Sequence, residues 1–173
     1  MTTPTPPDHG LTPAELGVTA SQANLDATVE AIRAYCGWHV WPVADHTLVV
    51  DGEGGHILTL PTLRVVDVDT VTETTALDPD TYEWSASGDV KRIDGCWTTK
   101  WRGIEVELTH GYEQCPFTAL VAQVAGEIAD AADIGGMTKV GPFEWGGGSA
   151  GSAAQAILAY RGTLDLYRLP ALS

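Results

Sequence analysis

The sequence predicts an α+β fold: a helical core with an inserted antiparallel β module and a mobile C-terminal helix. Three observations lead there. Apolar residues recur at helical spacing before Gly37, at a period of two from about residue 38 to 110, and at helical spacing again after Pro116. The strand-like segments follow one another through tight turns with no helix between them, which argues for antiparallel sheet over βαβ units. A glycine- and serine-rich stretch, 146–152, then separates a last short helix from the rest.

Taken in order, residues 1–11 read as a disordered arm. Pro4, Pro6 and Pro7 oppose regular structure there, and the stretch lacks the basic and apolar runs of a signal peptide. Thr12-Pro13-Ala14-Glu15 is a capping box with proline at the first helical position, so a short helix starts there. A longer helix opens at Thr19 or Ser21, carries Leu25, Val29, Ile32 and Cys36 as one apolar stripe, and stops at Gly37. His46 to Val50 and His56 to Leu60 flank Asp51-Gly52-Glu53-Gly54-Gly55, a hairpin signal. Arg64 to Glu73 is rich in Val and Thr, as an extended strand should be. A second hairpin pairs Tyr82 to Ser85 with Val90 to Ile93 around Ala86-Ser87-Gly88-Asp89. Ile104, Val106 and Leu108 then alternate with Glu105, Glu107 and Thr109, the cleanest half-buried strand in the chain. Pro116 opens a helix to about Asp133 with Leu120, Val121, Val124 and Ile128 on one face, ended by Gly135-Gly136. A short helix runs from Ala153 to Arg161. The expected organisation is an arm at 1–11, an α+β domain at 12–145 with its β module at about 38–110, a linker at 146–152, and a docking segment at 153–173.

Bulk properties narrow the function classes. A chain of 173 residues, 44% hydrophobic, makes one domain or slightly more and needs neither disulfides nor metals for a core. The three cysteines show no disulfide spacing and fit a reducing compartment. No apolar run approaches the ~20 residues of a membrane span. With 23 acidic residues against 9 basic ones, a net charge of -14, the chain repels phosphate and is unsuited to binding nucleic acid by counterion release.

No catalytic constellation stands out. Gly147-Gly148-Ser149-Ala150-Gly151 matches a hydrolase nucleophile pattern, yet no histidine follows His110 to complete the usual triad order, and a linker explains the tract. Cys36 with His39, and His110 with Cys115, could be two halves of a zinc site, but neither pair has C-x-x-C spacing, so buried Cys and His are expected. Asp67 with Asp69 and Asp78 with Asp80 lack the glycine-spaced loop of an EF-hand. Of six tryptophans, Trp38, Trp41, Trp84, Trp97 and Trp101 fall in or near the β block. Core packing plus subunit contact is favoured over a sugar-stacking platform, although a β-rich carbohydrate-binding module remains the alternative.

Several blocks together resemble a known family: Ala31 to Val43, Asp51 to Pro61, Trp84 to Trp97 with its Gly88 turn, Val106 to Pro116 containing Thr109-His110-Gly111-Tyr112, and Leu164 to Pro170. Their order and spacing are similar to those of the head-to-tail adaptors, or connectors, of long-tailed actinobacteriophages, over most of the chain after the arm. The resemblance implies a virion structural protein without enzymatic activity, cofactor or metal, assembled in the host cytoplasm and located in the neck. It implies a homo-oligomeric, twelve-fold ring that binds the portal and connects the DNA-filled head to the stopper and tail, with genomic DNA passing through the lumen without specific binding. In that setting the C-terminal segment is the expected portal contact, through Ile157, Tyr160, Arg161, Leu166, Tyr167, Arg168 and Leu169; the alternative is that it packs against the subunit's own helices. The β module is the expected subunit contact, through Trp97 and Trp101 with Lys91, Arg92, Lys100 and Arg102.

Overall fold

The computed structural model describes residues 6–134, 139–140, 143–144, 153 and 155–170. It divides into two units, a β-rich one built from Trp38–Gln114 and a helical one built from His9–Gly37 and Cys115–Arg168. The architecture is α+β, as the pattern predicts.

In the helical unit, α1 (Pro13–Leu16) carries the expected capping box, with the Thr12 side chain accepting from Glu15 N–H and Glu15 answering to the Thr12 backbone. The 15-residue helix α2 (Gln22–Cys36) starts at Ser21, whose hydroxyl accepts from Asn24 N–H, and ends at Gly37 in the left-handed region at φ 83°. Leu25, Val29, Ile32 and Cys36 are buried, as the stripe requires. Part of the expected arm is pinned to this helix: His9 bonds Asp26 at 3.0 Å and the Gln22 amide donates to Leu11 O at 3.1 Å. Helix α3 (Thr118–Ile134) packs on α2 and buries Val121, Val124, Ala125 and Ile128. Each such valine or isoleucine contributes roughly 1.5–3 kcal/mol on burial. The predicted Gly135-Gly136 stop and the 146–152 linker lie outside the described residues.

The β-rich unit holds two three-stranded antiparallel sheets. The first has the order β1 (Ala44–Val50), β6 (Ile104–His110), β3 (Val65–Thr72). The second has the order β2 (Ile57–Thr59), β5 (Asp89–Arg92), β4 (Tyr82–Trp84). One apolar core serves both, with Leu58, Tyr82 and Val90 from the second sheet meeting Val68, Val106 and Leu108 from the first. The Trp97 indole sits in this core and donates to Val90 O at 3.2 Å. The predicted hairpin of β4 and β5 is present, with Trp84 opposite Val90. A further short pair outside these sheets joins β7 (Lys139–Val140) to β8 (Phe143–Glu144).

One predicted pairing is corrected. The strands flanking Asp51 to Gly55 do not form a hairpin: β1 pairs with β6, whereas β2 pairs with β5 in the other sheet. The glycines serve close approach instead of a tight turn. Gly52 and Gly54 N–H donate to Lys100 and Thr98 carbonyls, and Trp97 N–H donates to Gly55 O. A Cβ on Gly52 would sit 2.0 Å from Thr98 O. The loop thus runs alongside 97–100 and carries the chain from one sheet to the other.

Candidate functional site

The C-terminal segment rests on the helices of its own unit. Around helical residues 155–157, a 3-10 turn at Leu158–Tyr160, α4 (Arg161–Leu164) and a second 3-10 turn at Asp165–Tyr167 follow in succession, so the helical run extends past the predicted end at Arg161. Ile157 and Leu164 are buried. The Tyr167 ring meets Phe117 edge-on at 4.7 Å, the Arg168 guanidinium lies 5.1 Å from the Tyr35 ring centre, and the Tyr35 hydroxyl donates to Asp165 at 2.6 Å. Tyr160 donates to Glu127 at 3.1 Å. Leu169 is half-buried. Of the expected portal residues, Arg161, Leu166 and Arg168 are exposed, and Leu158 joins them.

The β module separates the expected subunit contacts in the same way. Trp97 is 2% exposed and belongs to the core, whereas Trp101 is 87% exposed. Arg92 is half-buried, lies 5.1 Å from the Trp97 ring centre and pairs with Glu73 at 3.8 Å. Lys91 is exposed and faces Glu83. Lys100, Trp101 and Arg102 form an exposed tip. Its turn is held by Gly103 N–H donating to Lys100 O and by Arg102 N–H donating to Asp51 at 2.6 Å, with Arg102 itself at φ 52°. An exposed indole between two cations is the composition that anchors protein contacts.

The solvent face of the first sheet has the opposite charge. Register places Asp45, Thr109 and Asp67 in one row, Thr47, Glu107 and Thr70 in the next, and Val49, Glu105 and Thr72 in the third. These rows carry four exposed carboxylates and no basic residue. Beside the sheet an open groove of about 730 Å³ is lined by Arg64, Trp84, Tyr112 and Glu113 among others.

Where β1 and β6 meet the chain entering the module, three histidines converge that the sequence reading did not group. His39, His46 and His110 each offer one ring nitrogen, and these atoms all lie within 4.8 Å of one another. His46 Nδ1 and His110 Nε2 share a hydrogen bond of 2.7 Å, and His110 Nδ1 bonds the buried Thr62 hydroxyl at 2.9 Å. His39 Nε2 donates to Pro42 O at 2.9 Å. The rings stand nearly perpendicular to one another, with centres 4.4 to 5.0 Å apart. Trp38 stacks on His110 at 6.2 Å. Burial, reinforced by the neighbouring His39 and His46, pushes the His110 pKa down to about 3, so its ring is neutral near pH 7.

Two backbone features aim these rings. Val40 has φ 62°, and Trp41 N–H donates to His39 O at 2.8 Å, a γ-turn that L-residues adopt at a cost of about 1–3 kcal/mol. Gly111, at φ 113°, lies so close that a Cβ there would sit 2.6 Å from Pro42 O and 2.7 Å from His39 Nε2. Parity was the available signal: Ala44, His46 and Leu48 share a strand face, as do Val106, Leu108 and His110. By sequence His39 lies near Cys36 and His110 near Cys115, pairs whose spacing points to buried side chains and not to a zinc site. The convergent group contains no cysteine, and Cys36 and Cys115 belong to the helical unit.

No family model matches the sequence, and no curated protein does. Solved structures do match. A chain in the neck of a native GTA (gene transfer agent) particle, computed with C12 symmetry, aligns with a TM-score of 0.63 at 14% identity, over 99% of this chain and 95% of that one. A chain in the neck of an empty GTA particle, computed with C6 symmetry, gives a TM-score of 0.53 at 14% identity, over 95% of this chain and 82% of that one. At this identity the likeness is one of fold: the chain shares, over nearly its whole length, the fold of chains found in particle necks.

Proposed function

We propose that this chain is a non-enzymatic structural protein of the neck of a phage-like particle. Twelve copies form a ring that binds the portal and connects the DNA-filled head to the stopper and tail. The observation that carries the reading is the likeness to a neck chain across almost all of both chains, in a particle whose neck was computed with C12 symmetry. In this reading the Lys100-Trp101-Arg102 tip reaches a carboxylate-bearing surface on the neighbouring copy, which suits the head-to-tail contacts of a closed ring. The acidic face of the first sheet is assigned to the lumen, where excess carboxylates keep passing phosphates from adhering. Arg161, Leu166 and Arg168, with Leu158, are assigned to the portal.

A sugar-binding module would instead need a row of exposed rings. Trp38, Trp41 and Trp97 are buried, which leaves Trp84 and Trp101 as the exposed tryptophans among the described residues. The test is co-expression with the portal protein of the same particle, followed by pull-down and electron microscopy of the purified complex. A ring seated on the portal is the expected result. Failure to co-purify under any salt condition, together with a strictly monomeric chain, overturns the reading.

A further inference from the structure

The histidine trio has the makings of a coordination site, and its case stands independently of the neck reading. Three rings from three separate points of the chain present one nitrogen each into a shared space. Two of these donors, His46 and His110, are placed by strand register, and the third is placed by the strained turn at Val40. A tetrahedral ion held at about 2.0–2.1 Å from nitrogen keeps its ligand atoms roughly 3.3 Å apart. The trio brackets that spacing: His46 Nδ1 and His110 Nε2 are 2.7 Å apart, and all the donor atoms fall within 4.8 Å. The rings stand at steep angles to one another and do not stack face to face, which leaves their in-plane lone pairs able to converge.

The surroundings match those of metal-bound imidazoles. Such ligands are held by hydrogen bonds from their second nitrogen to a hydroxyl or carbonyl. Here Thr62, 1% exposed, bonds His110 Nδ1 and so directs Nε2 toward the trio, while Pro42 O fixes His39. Nothing in the neck reading uses these bonds. Neutral imidazoles without carboxylates select a borderline transition ion over calcium or magnesium. His46 is half-buried, which gives an ion and a water a way in.

We propose that His39, His46 through Nδ1 and His110 through Nε2 form a Zn²⁺ site, with water as the fourth ligand. The bound ion ties the chain entering the β module to β1 and β6, a structural staple within one unit. Binding exchanges the His46–His110 hydrogen bond for two metal–nitrogen bonds, and the proton shared between the rings moves through solvent to a ring nitrogen that does not bind the ion, so each imidazole stays neutral.

The test uses the full chain freed of metal with a chelator, then titrated with Zn²⁺ by calorimetry and with Co²⁺ by visible absorption. The expected result is one equivalent of zinc, the intense visible bands of tetrahedral cobalt, and a higher melting temperature. His46→Ala should weaken binding by about a hundred-fold or more. Thr62→Val, which removes only the supporting hydroxyl, should weaken it by about 10–100-fold. A His56→Ala/Cys96→Ala variant removes the surface pair whose atoms lie 3.9 Å apart and should bind as the parent does. Should His46→Ala misfold, imidazole NMR of the unaltered protein decides: zinc must shift the resonances of His39, His46 and His110 and leave His9 and His56 in place. Absence of saturable binding, binding indifferent to His46→Ala in a folded variant, loss in the surface double variant, or shifts confined to His9 and His56 each overturn the proposal.

Discussion

Replacing Gly111 by alanine tests how tightly the entry of the β module is built. The added Cβ would lie 2.6 Å from the Pro42 carbonyl oxygen and 2.7 Å from His39 Nε2, atoms already joined by a hydrogen bond. The first is backbone, and the second is the tip of a buried ring held in place by that hydrogen bond. Crowding of this kind costs about 1–3 kcal/mol. Holding a residue other than glycine at φ 113° adds about 1–3 kcal/mol. The expected loss is therefore about 2–6 kcal/mol, enough to lower the melting temperature of a module this size by roughly 8 °C or more. Urea unfolding followed by tryptophan fluorescence reads it, because Trp38, Trp41 and Trp97 are buried in the module. Gly95→Ala is the control. Gly95 also has positive φ, at 84°, but a Cβ there meets nothing within 4 Å, so only the conformational cost of about 1–3 kcal/mol applies, without the crowding. Equal losses for the two variants, or less than about 1 kcal/mol for Gly111→Ala, would refute the crowding argument.

Trp101→Ala should leave folding and melting unchanged, since the ring is 87% exposed, yet weaken ring assembly by about 2 kcal/mol per contact, measured by sedimentation; normal rings would sink the tip assignment. Leu164→Ala should destabilise the helical unit by about 2–5 kcal/mol, because its side chain is fully buried; a truncation at Gly151 should likewise lower helical stability by circular dichroism, whereas an unchanged melt would mark the segment as a bystander. A thiol reagent should label exposed Cys96 at once and Cys36 only on unfolding, read by mass spectrometry. Burial pushes the Cys36 pKa up to about 11, so the native state keeps a proton that the unfolded chain gives up above about 9. Its contribution is whole below pH 9 and disappears as pH rises to about 11, a fall of roughly 2 kcal/mol that Cys36→Ala should lack in parallel denaturation curves.

Much of this fold is legible in the sequence because local chemistry and tertiary packing agree. Thr12 to Glu15, the stripe ending at Gly37, and the strict alternation at Ile104 to Leu108 each state their own conformation. The 51–55 segment misleads because several glycines between two apolar runs satisfy a hairpin pattern, while the reason for glycine is the backbone of 97–100 passing alongside, a long-range fact. The surface role of tryptophan is equally non-local: Trp97 is buried in the core and Trp101, in the same stretch of chain, is exposed. The histidine trio needs the β1–β6 register and the Val40 turn before its members meet, and neither leaves a motif.

The clasp between Tyr112 N–H and Val40 O, at 2.8 Å, has a consequence for how the chain folds. The helical unit is discontinuous in sequence, since α2 and α3 flank the whole of Trp38–Gln114. Unfolded, the chain between the helices is a slack loop of roughly 80 residues that must be closed before they can associate; clasped, it acts as a connection of roughly 10, which lowers the cost of closure by about 2 kcal/mol. The insert should therefore gain amide protection ahead of α2 and α3 in pulse-labelling during refolding, and simultaneous protection would contradict this order. On a ribosome the same logic makes α2 wait: its partner emerges only after the module has been made, and a module already closed delivers α3 to it as a near neighbour.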